Sequence, residues 1–353
     1  MSVATMAFRG KKVFVGIDVH KKSNTVCVEV EGSDQLRHFT VPSHPCSFAE
    51  WLTDKYKGAK IETAYEAGFS GFSLHRVLVA KGVTSYVVNP ASIPLPANNC
   101  VKTNKKDGRR LCQLVKTKPR DDFKPVHVPT VQQELERLIP RTRAQLVEER
   151  TRLGNQIKAK LFEFGFIDGD DERAMSLKLL AEFESLDLPT ELTLCIEILG
   201  LLYRQVHIQI KRVEAEMKRQ AASHRELDSI YLSCPGLGPI STGTLRTELG
   251  NMSQFKNERQ LFSYTGLTPS EFSTGDKVKQ GGITHKGNTH VRHCLIEIAW
   301  RAIGEDPGLR KRYERLKARR GGKRAIVAIA RQLVGRIRAC LQQGTTYRVA
   351  KAA

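Results

Sequence analysis

Over the N-terminal third of the chain, short apolar runs are separated by polar breaks. Val13–Val19 is a dense run of β-branched and aromatic residues, the pattern of a strand buried on both faces. Thr25–Val30 alternates apolar and polar, Gly32-Ser33-Asp34 makes a turn, and Leu36–Val41 is a third strand. Phe48–Tyr56 has helical spacing, with Ser47 placed to cap it. Lys60–Glu66 reads as a fourth strand, broken by Gly68–Gly71, and Phe72–Lys81 as a helix with apolar positions three and four apart. Val83–Asn89 is a fifth strand, stopped by Pro90. Three meandering strands followed by alternating helices and strands predict an α/β domain with a mixed sheet flanked by helices.

The pattern changes from Val131 to His224, where Glu, Arg, Lys, Gln and Leu dominate. Leu146, Leu153, Ile157 and Leu161 line one face of a helix that Pro140 starts or kinks. A second long helix covers Glu191–Gln220, with Pro189 near its start. Two charged helices with apolar stripes predict a helical hairpin or coiled-coil arm. From Ser229 on, the chain is mainly helical, with a helix at Glu258–Tyr264, a glycine-rich loop at 266–288 and very basic helices at the end. The expected division is 12–128, 129–226 and 227–348.

Charge narrows the function. The chain of 353 residues carries 57 Lys+Arg against 37 Asp+Glu, a formal net +20, which predicts a polyanionic partner. Val101–Arg120 holds eight Lys/Arg and one acid, and Arg301–Cys340 thirteen against three. The basic positions expected to hold phosphates are Lys102, Lys105, Lys106, Arg109 and Arg110 in the first cluster. In the second they are Arg310, Lys311, Arg312, Arg319, Arg320, Lys323 and Arg324. Lys277, Lys279 and Lys286 add a third, smaller group. Aromatics are only 7%, which favours backbone and shape reading over stacking on single strands. With no apolar run of about 18 residues, no membrane span is expected. The eight cysteines form no CxxC pair and no signal segment is visible, so a cytoplasmic chain with reduced thiols is expected, on the nucleoid when DNA is bound.

Three motifs could carry chemistry. Asp18 ends the first strand, Glu66 ends the fourth, and Asp107 falls on the first turn of a later helix. Carboxylates from separated elements can converge on hard divalent cations, and two ions about 3.5–4 Å apart would activate a nucleophile and stabilise a leaving oxygen on phosphate. Asn104 shares the helical face of Asp107 and could add a neutral oxygen ligand, or simply cap the helix. Gly236 and Gly238, in Pro235–Pro239, resemble a helix-hairpin-helix turn that lets backbone amides approach phosphate. Ser273 and Thr274, on the glycine-rich loop, offer a hydroxyl nucleophile; the ordinary alternative is a turn or cap.

Together, GIDVHK, YEAG, KTNKKDGRRL, CPGLGPISTGTLRTELG and GLTPSEFSTGDKVKQGGITHKGN resemble the DEDD transposases of the insertion-sequence 110/1111 family, to which the Piv DNA invertase is related. The resemblance covers nearly the whole chain. It implies a RuvC-like N-terminal domain of RNase H fold, a coiled-coil arm and a mainly helical transposase domain. It implies a metal site at Asp18, Glu66, Asn104 and Asp107, holding Mg²⁺ or Mn²⁺, with Asn104 where the family usually has its third acid. It further implies a hydroxyl nucleophile, placed by ungapped position at Thr274 with Ser273 adjacent. The implied partners are a structured bridge RNA, donor and target DNA, and further copies of the chain in a tetramer. The alternatives are a metal-dependent nuclease that uses water, and a non-catalytic nucleic-acid-binding protein.

Overall fold

The computed structural model describes residues 8–33, 35–90, 93, 104–118, 123–169, 171–271, 280–284 and 286–349. The chain divides into two compact units, 1–128 and 129–353.

The first unit is built on a five-stranded sheet of β1 (Lys12–Val19), β2 (Ser23–Val30), β3 (Arg37–Pro42), β4 (Lys60–Glu66) and β5 (Thr84–Val88). Their order is β3-β2-β1-β4-β5. β1 pairs antiparallel with β2 and parallel with β4, so the densest apolar run sits at the centre, as its composition demands. Three helices flank the sheet: α1 (Pro45–Lys55), α2 (Ser73–Ala80) and α3 (Asn104–Thr117). All five strands and the first two helices match the sequence pattern. The cap is different. α1 starts at Pro45, with His44 at the cap position, so Ser47 lies inside the helix. Proline is favoured in a first turn because its missing N–H is not needed there and its φ is already helical.

Strand alternation sorts the two faces. Val13, Val15, Ile17, Ile61 and Tyr65 pack with Phe48 and Leu52 of α1 and Leu74 and Leu78 of α2. Phe14, Cys27, Ala64 and Val88 face the other way, against Leu111, Cys112, Leu114 and Val115 of α3. α3 comes very close to β1. A Cβ placed on Gly16 would stand 2.0 Å from the Gly108 carbonyl oxygen and 2.3 Å from the Cys112 nitrogen. Only glycine permits that approach.

The second unit is almost entirely helical. α4 (Val131–Glu163) opens with a capping box between Thr130 and Gln133 and keeps Pro140 inside it. α6 (Thr190–Ala221) runs along α4, and α5 (Leu177–Glu184) closes their core of Leu153, Ile157, Leu161, Leu180, Ile196 and Tyr203. The remaining helices, α7 (Arg225–Leu232), α8 (Pro239–Leu249), α9 (Glu258–Thr265), α10 (Thr289–Glu305), α11 (Pro307–Arg320) and α12 (Gly322–Gln343), share one core centred on Leu245, Leu295, Ile298, Ile329 and Leu333. A small antiparallel hairpin, β6 (Pro269–Glu271) and β7 (Gln280–Ile283), falls between α9 and α10 in the chain. Arg137 and Arg141 of α4 bond to Thr247 and Glu248 of α8, which ties the long helices to the rest of this unit. Among the described residues, no helix is long and apolar enough to cross a membrane.

Candidate functional site

The acidic positions are arranged by the sheet. Ile17 and Tyr65 are paired in the parallel β1–β4 register, so Asp18 and Glu66 follow on adjacent strands. Both continue the Phe14-Gly16 and Ala64 series, hence the face that α3 covers. Gly108 packs against Thr25 and Cys27 of β2, and Thr25 is paired with Asp18. Asp107, one residue earlier, therefore belongs to the same end of β1. Asp18 is one-fifth exposed at its side chain, and its Oδ2 lies 3.1 Å from His20 Nε2, an ion pair when the imidazole is protonated. Asp107 accepts a hydrogen bond of 3.1 Å from Arg110 Nη1. Asn104 is the first residue of α3, and its side chain is outside the described residues.

Every donor in this set is an oxygen, the ligand type that hard divalent cations prefer, and the carboxylates come from three elements held in one packed frame. Among the described residues no three His, Cys, Asp or Glu side chains close into a metal-holding group on their own. On the same α3 face Glu29 accepts from Gln113 Nε2 at 3.0 Å and pairs with Lys116, and Glu62 pairs with Lys118. These carboxylates are spent on holding α3 to the sheet.

The hydroxyl candidates Ser273 and Thr274, with Lys277 and Lys279, lie outside the described residues. The described residues on either side of 272–279 are joined by backbone hydrogen bonds. Thr284 N donates to the Thr268 carbonyl at 2.9 Å, and Asn288 N to the Tyr264 carbonyl at 2.7 Å. Gly287 has φ +112°, and a Cβ there would stand 2.4 Å from the Tyr264 carbonyl oxygen, so glycine alone fits. Beneath these ends is a polar cluster that no sequence motif discloses. Glu248, with its side chain fully buried, accepts from Arg141 Nε at 2.7 Å and Nη2 at 3.0 Å, and from Asn288 Nδ2 at 2.8 Å. Asn288 also caps α10 through Val291 N and donates to the Tyr264 hydroxyl at 3.0 Å. Burial pushes the Glu248 carboxyl up, but the hydrogen bonds and charge of Arg141, with help from Asn288 and Arg137, outweigh it and hold the carboxyl below its usual range. The only sequence signal is Asn288 at a helix start.

At the Pro235–Pro239 turn, Gly236 N donates to Glu305 Oε2 at 2.7 Å and Gly238 N to Ser241 Oγ at 2.9 Å. Both amides thus have acceptors within the protein. Of the basic positions, Lys106 and Arg109 are exposed on α3, and Arg110 is occupied with Asp107. Lys286, Lys311, Arg312, Arg319, Arg320, Lys323 and Arg324 are exposed, whereas Arg310 donates to the Ile303 and Gly304 carbonyls at the end of α10. Lys102 and the side chain of Lys105 lie outside the described residues.

A mixed five-stranded sheet of this order, with acids at the ends of its adjacent parallel central strands and an acid-bearing helix across that face, defines an RNase H-like DEDD domain, and that domain implies a divalent metal. A DEDD transposase model of the IS110 group matches residues 15–165, and one described as "Transposase IS116/IS110/IS902 family" matches 228–314. The putative transposase y4rJ of Sinorhizobium fredii is 32% identical over 298 residues, covering 76% of this chain and 74% of that protein. The probable family 20 transposase of Pseudomonas aeruginosa is 27% identical over 348 residues, 96% of each chain. The transposase of insertion element IS1111A from Coxiella burnetii is 27% identical over 283 residues, 78% of this chain and 76% of that one. With that identity and coverage the chain belongs to the IS110/IS116/IS902 family of transposases, enzymes of DNA phosphoryl transfer.

Proposed function

We propose that this transposase cuts and rejoins DNA through two chemical parts: a metal site at Asp18, Glu66, Asn104 and Asp107, and a hydroxyl nucleophile at Thr274 or Ser273. The observation that carries the reading is the placement of Asp18 and Glu66 on adjacent parallel strands, on the face where the Gly16–Gly108 contact seats the Asp107 helix. Bound Mg²⁺, or Mn²⁺, would polarise the scissile phosphate and ease ionisation of the attacking hydroxyl. The hydroxyl oxygen attacks phosphorus, the bond to the 3′ oxygen breaks, and a 3′-hydroxyl leaves while the protein keeps the 5′-phosphate as an ester. Reversal on another 3′-hydroxyl rejoins the strand and restores the side chain. The Glu248 cluster keeps the base of the hairpin in one geometry through these steps.

The exposed cations at 311–324 and on α3 hold nucleic-acid backbones. Guidance by an element-encoded bridge RNA rests on the family resemblance and on the size of the positive charge. Action as a homo-oligomer, with 129–226 serving as the arm, has support on α6. There Leu194, Ile198, Leu201 and Ile208 are all more than half exposed and recur at coiled-coil spacing, with Gln205 between them. A tetramer working in the cytoplasm, on the nucleoid, completes the reading.

The test is a strand-exchange assay with the element's own DNA ends and whatever RNA co-purifies with the protein. Asp18→Asn should abolish exchange. Removal of both hydroxyls (Ser273→Ala with Thr274→Ala) should abolish a denaturation-resistant protein–DNA adduct, and the single variants identify which one attacks. An adduct that survives in the double variant eliminates the hydroxyl assignment. Hydrolysis without any adduct in the wild type points instead to a nuclease that uses water. Absence of a discrete co-purifying RNA removes the RNA-guidance reading.

A further inference from the structure

A cavity of about 1120 Å³ lies within the second unit, bounded by α4, α8, α10 and α12 and by Ile283 at the end of β7. One face of α10 supplies much of its wall. Arg292 and His293, Ile296 and Glu297, and Trp300 and Arg301 recur at helical spacing. Arg143 of α4 and Lys323 of α12 contribute from other sides. Five Arg or Lys and three Glu line it; Arg141 is engaged by Glu248 and Arg143 by Glu214, which leaves Arg292, Arg301 and Lys323 against Glu148 and Glu297. Its void is larger than a typical small-molecule cleft, and its charge favours an anion.

The lining also contains a feature that a surface for phosphate alone does not need. Trp300 is 45% exposed, although the chain has only two tryptophans. The edge-to-face contact of its ring with the buried Tyr313, centroids 5.7 Å apart at 67°, fixes the indole and leaves the rest of it bare. A duplex offers stacked bases with no free face, and its backbone needs no concave pocket. An unpaired nucleotide needs what is present: an aromatic plane for the base and cations for the phosphates on either side.

We infer that this cavity binds an unpaired nucleotide of the DNA strand undergoing exchange, with its base stacked on Trp300 and its phosphates held by Arg292, Arg301 and Lys323. The inference rests on the reading of the 272–279 loop as the carrier of the nucleophile, because the cavity adjoins β7 at the base of that hairpin. A nucleotide drawn out of the duplex at this point fixes the neighbouring phosphate relative to the hairpin. It adds a single-strand contact to the backbone and shape reading that the low aromatic content favours.

The full-length Trp51→Phe variant leaves Trp300 as the sole tryptophan. Titration with a short oligothymidylate should quench its emission, with an affinity that falls as salt is raised. In an otherwise wild-type chain, Trp300→Ala should weaken oligothymidylate binding roughly 5- to 150-fold. Trp300→Phe, which keeps a stacking plane and the packing on Tyr313, should stay within about 5-fold of wild type, inside the lower bound of a lost stack. Binding of a blunt duplex should be unchanged in both. Unquenched emission, or equal loss of duplex and single-strand binding in the Trp300→Phe chain, overturns the proposal. Quenching by oligouridylate but not by oligothymidylate overturns the assignment to DNA. The titration needs no cleavage, so an unquenched Trp300 in a chain that still forms its covalent adduct refutes the cavity alone. Quenching in a chain without an adduct refutes the nucleophile reading alone.

Discussion

Arg141, on the long helix α4, grips the buried carboxylate of Glu248 with two hydrogen bonds, at 2.7 and 3.0 Å. The pair joins α4 to α8 and, through Asn288, to the start of α10 beneath the hairpin. Arg141 is 41% exposed and keeps part of its hydration, whereas Glu248 keeps none. Replacing the arginine leaves the buried carboxylate with only Asn288 at hydrogen-bond distance and the more distant charge of Arg137.

Arg141→Met should therefore lower the unfolding free energy by about 2–4 kcal/mol, at or below the usual range for breaking a buried pair. Urea denaturation across pH gives the sign. The folded Glu248 carboxyl is held below its unfolded value, about 4.3, so its contribution is complete above that pH and is lost as pH falls through the folded value. The difference between wild type and variant should be widest at neutral pH and shrink on acidification. A difference that grows in acid contradicts the assignment.

Asn288→Ala removes the α10 cap and one of the Glu248 hydrogen bonds, and should cost about 1–2 kcal/mol. Combined with Arg141→Met, the losses should differ from additivity by at least about 0.5 kcal/mol, since both residues serve one carboxylate. Strict additivity in a double-mutant cycle would show that the two act separately.

Gly16→Ala should destabilise the first unit by about 1–3 kcal/mol, because the new methyl group has the backbone of α3 as its neighbour and must push the helix away. The same displacement moves Asp107. Divalent-metal affinity, measured by calorimetry, should fall with stability, even though no acid has been changed.

Neutralising Arg319, Arg320 and Arg324 to Gln should reduce the slope of log K against log salt for duplex binding by up to about 2.7, at about 0.9 for each phosphate that is no longer neutralised. An unchanged slope would place the DNA elsewhere. EDTA should stop strand cleavage while leaving duplex binding largely intact, because the cations and the metal act at different steps.

Much of this is legible in the one-dimensional pattern. Val13–Val19 is too apolar to be anything but a central strand, and the Asp107 segment reads as the start of a helix without knowledge of what it packs on. Asp18, Glu66 and Asp107 stand out because acids at strand ends and in a basic segment are conspicuous. The cap of α1 is not, because Ser47 and Pro45 both signal a helix start, and the proline takes the earlier position. Apart from Asn288 at a helix start, the Glu248 cluster does not show in the sequence, since Arg141, Glu248 and Asn288 lie far apart in the chain. Trp300 is inconspicuous for a related reason. A tryptophan in an apolar helix reads as core, and its exposure depends on which face the neighbours leave uncovered.

The linear order of residues thus settled the periodicities, the charge and the kinds of chemistry available, because these depend on neighbours within a few positions. Only the tertiary structure decided which carboxylates share a face, which arginine is consumed by Glu248 and which aromatic ring lines a cavity. Those outcomes depend on long-range packing, where a contact as close as Gly16 to Gly108 places one element against another, and no local pattern encodes that distance.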